Sequence, residues 1–216
     1  MAAIENWSER RTEMVREQIE ARGISDERVL AAMRSVPRHE FVSADLAQEA
    51  YEDHPLPIGH GQTISQPYIV AYMTALLKVE KQHEVLEIGT GCGYQTAVLS
   101  RLCSRVFTIE IVVDLMRLAR KNLDRAEVHN VEFYSGDGGQ GWPIPRQFDR
   151  ILVAAAPARI PEALLNQLAP GGRMILPVGT EMQDLMLVEH TDSGIRQTRL
   201  LGVRFVPLVK YPSDAD

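Results

Sequence analysis

The sequence predicts a doubly wound, mostly parallel α/β sheet that ends in an antiparallel hairpin and carries a helical N-terminal appendage. Three observations lead there. From residue 84 onward, apolar runs of strand length alternate with amphipathic helical segments, the pattern of a parallel sheet buried on both faces. A glycine-rich turn, Gly89-Thr90-Gly91-Cys92-Gly93, follows the first of those runs, where such a sheet needs a tight strand-to-helix connection. After Gly179 the alternation stops, and LMLVEH is joined to the stretch Ile195 to Val209 by Thr-Asp-Ser-Gly with no helix between them, a hairpin signal.

Each element has its own warrant. Residues 6 to 22 are rich in helix formers, with Trp7, Met14, Val15 and Ile19 compatible with one face, and Gly23 supplies a stop. Ser25 is placed to cap a second helix, DERVLAAMRSV, which Pro37 ends. A third short helix is expected over Ala44 to Tyr51. HPLPIGHGQTISQP is dense in Pro and Gly and reads as an ordered loop. Pro67 suits the first turn of a helix running to about Lys78. Then follow the strand-like EVLEIG, RVFTIEI, VEFYSGD, FDRILVAAA and GRMILPVG, separated by the helical TAVLSRLC, LMRLARKNLDRA and PEALLNQLA. The natural division is residues 1–80, helical segment and loop, and residues 81–216, the α/β domain with its C-terminal hairpin.

Composition narrows the partners. Lys and Arg total 23 against 29 Asp and Glu, a net charge of −6, which disfavours nonspecific nucleic-acid binding. No run approaches the ~20 apolar residues of a membrane helix, and the charged start MAAIENWSERR lacks the apolar core of a secretory signal. Cys92 and Cys103 form no metal-like cluster, and the six histidines are scattered, so no metal site is expected. A cytoplasmic, monomeric enzyme without nucleic-acid or membrane partners is the expectation.

The sharpest signal is Glu87-Ile88-Gly89-Thr90-Gly91-Cys92-Gly93-Tyr94. A dinucleotide fingerprint would place its third glycine at position 94, where Tyr94 stands. The spacing G-x-G-x-G therefore suits a nucleoside ligand without a pyrophosphate. Glu110, at the end of the second strand about 20 residues on, is positioned to accept both ribose hydroxyls. Asp137, in Ser-Gly-Asp-Gly after the next strand, is positioned to accept a hydrogen bond from an adenine amino group. Three strand ends at one edge of an open sheet, with this chemistry, imply S-adenosylmethionine as ligand.

At this point the chain resembles a known family. VLEIGTGCGYQTAVL is similar to the first motif of class I methyltransferases, and GQTISQPY, GDGGQGW, GGRMILPVG and VRFVPL together resemble the protein-L-isoaspartate O-methyltransferase family, from about residue 10 to residue 210. The resemblance implies a Rossmann-like methyltransferase fold and methylation of the α-carboxylate of L-isoaspartyl residues in proteins and peptides, with S-adenosyl-L-homocysteine as coproduct. The ester then collapses to a succinimide, which begins the repair. On this reading the cofactor is held by Gln62, Thr63, Ile64, Glu87, Gly89, Thr90, Gly91, Gly93, Glu110, Ile111, Asp137 and Gly138. The substrate is held by Ser65, Ala154, Ala155, Val203, Arg204, Phe205 and Val206.

The chemistry agrees with the residue types. An isoaspartyl carboxylate, with a reference pKa of about 3.9, is already ionised at neutral pH and needs no general base. Alignment of nucleophile, methyl and sulfur is what the protein must provide. The resemblance makes Ser65 the catalytic residue that holds the carboxylate, while its place before Pro67 equally fits a helix cap. Ala154-Ala155-Ala156-Pro157 offers backbone groups only, which argues against an amine acceptor and for a close-approaching peptide. Val203 to Val206 are expected to pair with substrate main chain. Two positions depart from the family's usual bacterial pattern: His60 where glutamine is frequent, and Gly139 where tryptophan is frequent. The alternatives are a carboxyl methyltransferase of a dedicated peptide or small molecule, and a noncatalytic nucleoside-binding module.

Overall fold

The computed structural model describes residues 6–210. Helix α1 (Trp7–Met14) is capped by the Asn6 side chain, which accepts from Glu9 N. It continues through a π turn and a 3-10 turn to Gly23, whose φ of +89° ends it. Helix α2 (Glu27–Ser35) is capped by Asp26, whose side chain accepts from Arg28 N at 3.0 Å. The cap thus falls one residue after the expected Ser25, because Asp26 is the residue whose side chain reaches the free N–H. The third helix is a 3-10 segment, Ala44–Glu49.

The Pro- and Gly-rich stretch is a small antiparallel hairpin, β1 (Leu56–Gly59) with β2 (Gln62–Ile64). Its tip, Gly59-His60-Gly61, has φ of +89°, +53° and +69°, a left-handed run that two glycines make feasible. Helix α3 (Pro67–Leu77) has its proline in the first turn and ends at Lys78 in the left-handed region.

The main sheet has seven strands: β3 (Glu84–Ile88), β4 (Arg105–Glu110), β5 (Val131–Ser135), β6 (Phe148–Val153), β7 (Leu168–Gly179), β8 (Gln183–Thr191) and β9 (Gly194–Val203). Their order is β5-β4-β3-β6-β7-β8-β9. Pairings are parallel from β5 to β7 and antiparallel for β7–β8 and β8–β9. Between the strands lie α4 (Tyr94–Ser100), α5 (Val113–Arg125) and α6 (Glu162–Asn166). The expected doubly wound sheet with its terminal hairpin is present. No helix among the described residues is long and apolar enough to cross a membrane.

Strand alternation sorts side chains between two cores. Val85, Val106, Leu152, Ile175 and Leu185 join the N-terminal helices, α3, α4 and α5 on one face. Leu86, Ile88, Phe107, Ile151, Met174 and Val188 face the other way, with Trp142 and Leu164 of α6. Residues on both sides of position 80, such as Met33, Met73 and Leu99, share the first cluster. Chain order reverses at β3, flanked by β4 and β6. A crevice opens there beyond the strands' carboxyl ends, the place where open sheets of this kind take ligands.

The final segment departs from the sequence expectation. Rather than one strand to Val209, β9 stops at Val203 and the chain turns back across the carboxyl edge of the sheet. Ala156 N donates to Val206 O at 2.8 Å, and Leu208 N donates to Ala156 O at 2.9 Å. Gln183 fixes the bend: its Oε1 accepts from Phe205 N at 2.6 Å and its Nε2 donates to Phe205 O at 3.0 Å.

Candidate active site

A solvent-open cleft of about 880 Å³ lies over the carboxyl ends of β3, β4 and β6. Its floor is the glycine turn. Gly89 N and Thr90 N donate to Ile109 O, and Asn122 of α5 holds the far side by donating to Cys92 O at 2.9 Å. Gly91 has a φ of +55°, and a Cβ there would stand 3.2 Å from Ile58 Cδ1 of the hairpin above. A Cβ at Gly89 would stand 3.6 Å from Ala154 Cβ. A side chain at either position would therefore fill the narrow passage between floor and wall.

Glu110 sits at the edge of this floor and is 6 % exposed. Its Oε2 accepts from Gly91 N at 2.8 Å and its Oε1 from Val112 N at 2.9 Å. Each oxygen keeps a second acceptor position, so a cis-diol fits here without breaking either bond. The carboxylate acceptors and the glycine cradle together fit the ribose of an adenosine.

Gln62, Thr63, Ile64 and Ser65 come down from β2 and line the opposite wall, together with Ile111, Gly138, Ala154, Ala155, Phe205 and Val206. The cap question is answered by geometry. The N-cap of α3 is Gln66, one residue later, and its side chain makes no cap bond. Gln66 instead donates to Asp53 O at 3.0 Å and Asp53 Oδ1 at 2.9 Å. Ser65 is half-buried, and its hydroxyl makes no hydrogen bond among the described residues.

Five of the expected site residues lie off the cleft wall, each for a visible reason. Glu87 is fully buried beneath the turn, its Oε2 accepting from the Thr96 and Thr108 hydroxyls at 2.5 and 2.6 Å. Desolvation pushes its carboxyl up to about 7, against the pull of those two hydroxyls. Gly93, with a φ of +91°, is the N-cap of α4 and packs against Leu123. Asp137 is half-buried and caps the 3-10 turn Gly138–Gln140, accepting from Gly139 N at 2.8 Å. Val203 ends β9 opposite Gln183, and Arg204 is exposed. Conversely, Ile58, Val70, Met73, Tyr94, Gln95, Val112, Gly136, Leu208 and Val209 line the cleft without having been singled out. Cys92 lines it too, its thiol pushed up to about 11 by burial and so unreactive as a nucleophile.

A cleft at the topological switch of a seven-stranded sheet, floored by a glycine turn beside a strand-end glutamate, defines a class I methyltransferase. The family model for protein-L-isoaspartate(D-aspartate) O-methyltransferase matches residues 9–213. A protein-L-isoaspartate O-methyltransferase of Parvibaculum lavamentivorans is 54% identical over 192 residues, covering 87% of this chain and 86% of its own. One from Methanoculleus marisnigri is 52% identical over 200 residues, covering 92% and 91%. Among solved structures, a protein-L-isoaspartate O-methyltransferase superposes with a TM-score of 0.82 at 30% identity over 91% of this chain, which spans 65% of that one. A putative protein-L-isoaspartate O-methyltransferase of Plasmodium falciparum, in complex with S-adenosyl-L-homocysteine, gives 0.81 at 28% identity and covers 93% and 98%. The chain belongs to the protein-L-isoaspartate(D-aspartate) O-methyltransferase family of S-adenosylmethionine-dependent carboxyl methyltransferases.

Proposed function

We propose that this cleft carries out the family's reaction, methylation of the α-carboxylate of L-isoaspartyl residues, with Ser65 holding that carboxylate. The observation that carries the assignment is the Ser65 hydroxyl, without a hydrogen-bond partner among the described residues and on the wall of the cleft whose floor is the glycine turn. S-adenosylmethionine, when bound, supplies an electrophilic methyl on a sulfonium. Glu110 accepts the ribose hydroxyls through the lone pairs its two backbone bonds leave open. Gly89 and Gly91 let the ligand lie against the backbone. The Ser65 hydroxyl donates to one oxygen of the acceptor carboxylate and leaves the other to face the methyl group. No proton need be taken from the nucleophile, which is ionised before it arrives.

The substrate's chain is proposed to run past Ala154, Ala155 and the Phe205–Val206 stretch. Both backbone groups of Phe205 and the Val206 carbonyl already have partners, so shape and side-chain contact take a larger share of recognition there than strand pairing. The acidic balance of the chain and two unpaired, buried cysteines support action on proteins in the reducing cytoplasm, without nucleic-acid or membrane partners. The test is a methyl-transfer assay on matched peptides that differ only in Asp versus isoAsp. Transfer confined to the isoAsp peptides across unrelated flanking sequences is expected. Transfer to one sequence alone would replace this reading with a dedicated substrate.

A further inference from the structure

Arg38 opens the 3-10 turn after α2, Arg38–Phe41, and is wholly inaccessible to solvent. Its Nε donates to Ala50 O at 2.7 Å, but Nη1 and Nη2 have no hydrogen-bond partner. Among the described residues no carboxylate forms an ion pair with it. A guanidinium in that condition is held at high cost, because burial removes its hydration and only the Nε bond and the face of the Tyr94 ring return part of the interaction. The same desolvation pulls it below its ordinary value, with Tyr94 and Cys92 the foremost groups opposing the change.

Those two neighbours point to what the charge serves. The guanidinium carbon stands 4.9 Å from the centre of the Tyr94 ring, and Tyr94 and Cys92 both line the cleft. The cleft is polar in sense. On the reading above Glu110 takes the ribose, and the base lies toward Gly136 and Gly138, which line the cleft beyond β5. The substituent on the 5′ carbon must then run the other way, past Gly89 and Gly91 toward Cys92, Tyr94 and Gln95. In this family's cofactor that substituent is an amino acid, and its α-carboxylate is the one anionic group it brings.

We propose that Arg38 is a positioning residue whose buried charge, acting across the Tyr94 ring and the Cys92 turn, orients the α-carboxylate of the cofactor's methionyl group. This rests on the reading of the cleft given above. The methionyl group is a zwitterion, so a cation behind one end of it selects which charge points inward and thereby fixes the direction of the sulfur substituents. Across several ångströms of protein, a charge–charge interaction of this kind is worth about tenfold or more in affinity.

Calorimetry of Arg38→Met with two ligands tests it: S-adenosyl-L-homocysteine and its decarboxylated analogue, which lacks only the carboxylate. Wild type is expected to prefer the homocysteine ligand by about tenfold or more. The variant should lose about tenfold for that ligand, while binding of the analogue holds or tightens, because its ammonium no longer faces a buried cation. Equal loss for both ligands, or no loss for either, overturns the proposal. Should the methionine variant fail to fold, Arg38→Lys keeps the charge without the Nε bond to Ala50 and should retain the preference; its disappearance in a folded lysine variant is equally fatal. A wild-type protein that binds neither ligand overturns the reading of the cleft and the proposal with it.

Discussion

Replacing Glu87 by glutamine isolates one buried proton. Glu87 lies on β3 under the glycine turn, with Oε2 held by two threonine hydroxyls and Oε1 without any partner. Desolvation raises its carboxyl from 4.5 to about 7, with Glu110 adding to the rise. The folded chain therefore keeps a proton that the unfolded chain releases above about pH 4.5. With more protons bound in the native state, stability falls as pH rises through that window and levels off above about pH 7. At about 1.4 kcal/mol per pH unit, the full window is worth about 3 kcal/mol. Glu87→Gln removes the titration but leaves an oxygen for the two hydroxyls. Its amide adds a constant penalty of about 1–3 kcal/mol for unpartnered donors, which shifts the stability curve without tilting it. Urea unfolding of both proteins from about pH 5 to about pH 8.5 reads the tilt. The stability difference, wild type minus variant, should fall by about 2–3 kcal/mol over that range. Parallel curves would show that Glu87 is ionised throughout and that the burial argument fails.

Two further outcomes follow from the cleft. Ser65→Ala should lower kcat/KM by about 10- to 150-fold, the loss of one charge-assisted hydrogen bond worth about 1.5–3 kcal/mol. Because Gln66 and not Ser65 is the N-cap of α3, the unfolding midpoint should stay where it is, and a destabilised variant with wild-type turnover would remove Ser65 from the reaction. Gly91→Val forces a branched side chain into a φ of +55° and toward Ile58 at 3.2 Å, in the passage the cofactor needs. Its affinity for S-adenosylmethionine should be lost by calorimetry, and a folded variant with normal affinity would displace the glycine turn from the site.

The parallel strands were legible because burial on both faces leaves uninterrupted apolar runs such as RVFTIE and FDRILV, whatever lies next to them. The terminal hairpin was legible from Asp192-Ser193 between two strands. What escaped was non-local or unusual in backbone. The β1–β2 hairpin hid in a stretch dense in Pro and Gly, since three consecutive left-handed residues at its tip look like loop in any reading of propensity. The return of residues 204–208 depends on Ala156, about 50 positions earlier, and on Gln183 standing in for a strand partner. No local pattern encodes that contact. Arg38 was equally silent, an ordinary cation in sequence and a fully buried one in the fold.

The two glutamates show where residue type stops carrying information and register takes over. Glu87 and Glu110 sit on neighbouring parallel strands, and both belong to motifs read as cofactor-binding. In the ladder Glu87 pairs with Thr108, two residues short of Glu110, so it lies one full pleat below the carboxyl edge. Its side also matters. Glu87 shares the parity of Val85 and faces the helix-covered core, where the hydroxyls of Thr96 on α4 and Thr108 close over it. Glu110 is the last residue of β4, paired with Ser135 of β5 but one residue past the end of the β3 ladder, where the glycine turn meets it from the side. One carboxyl is thereby driven toward its neutral form beneath the floor. The other keeps two lone pairs facing the cleft. A two-residue offset in a parallel register separates a buried carboxyl from one that lines the cleft and is proposed to take the ribose, and the period-2 rule applied to β3 alone already puts Glu87 on the covered face.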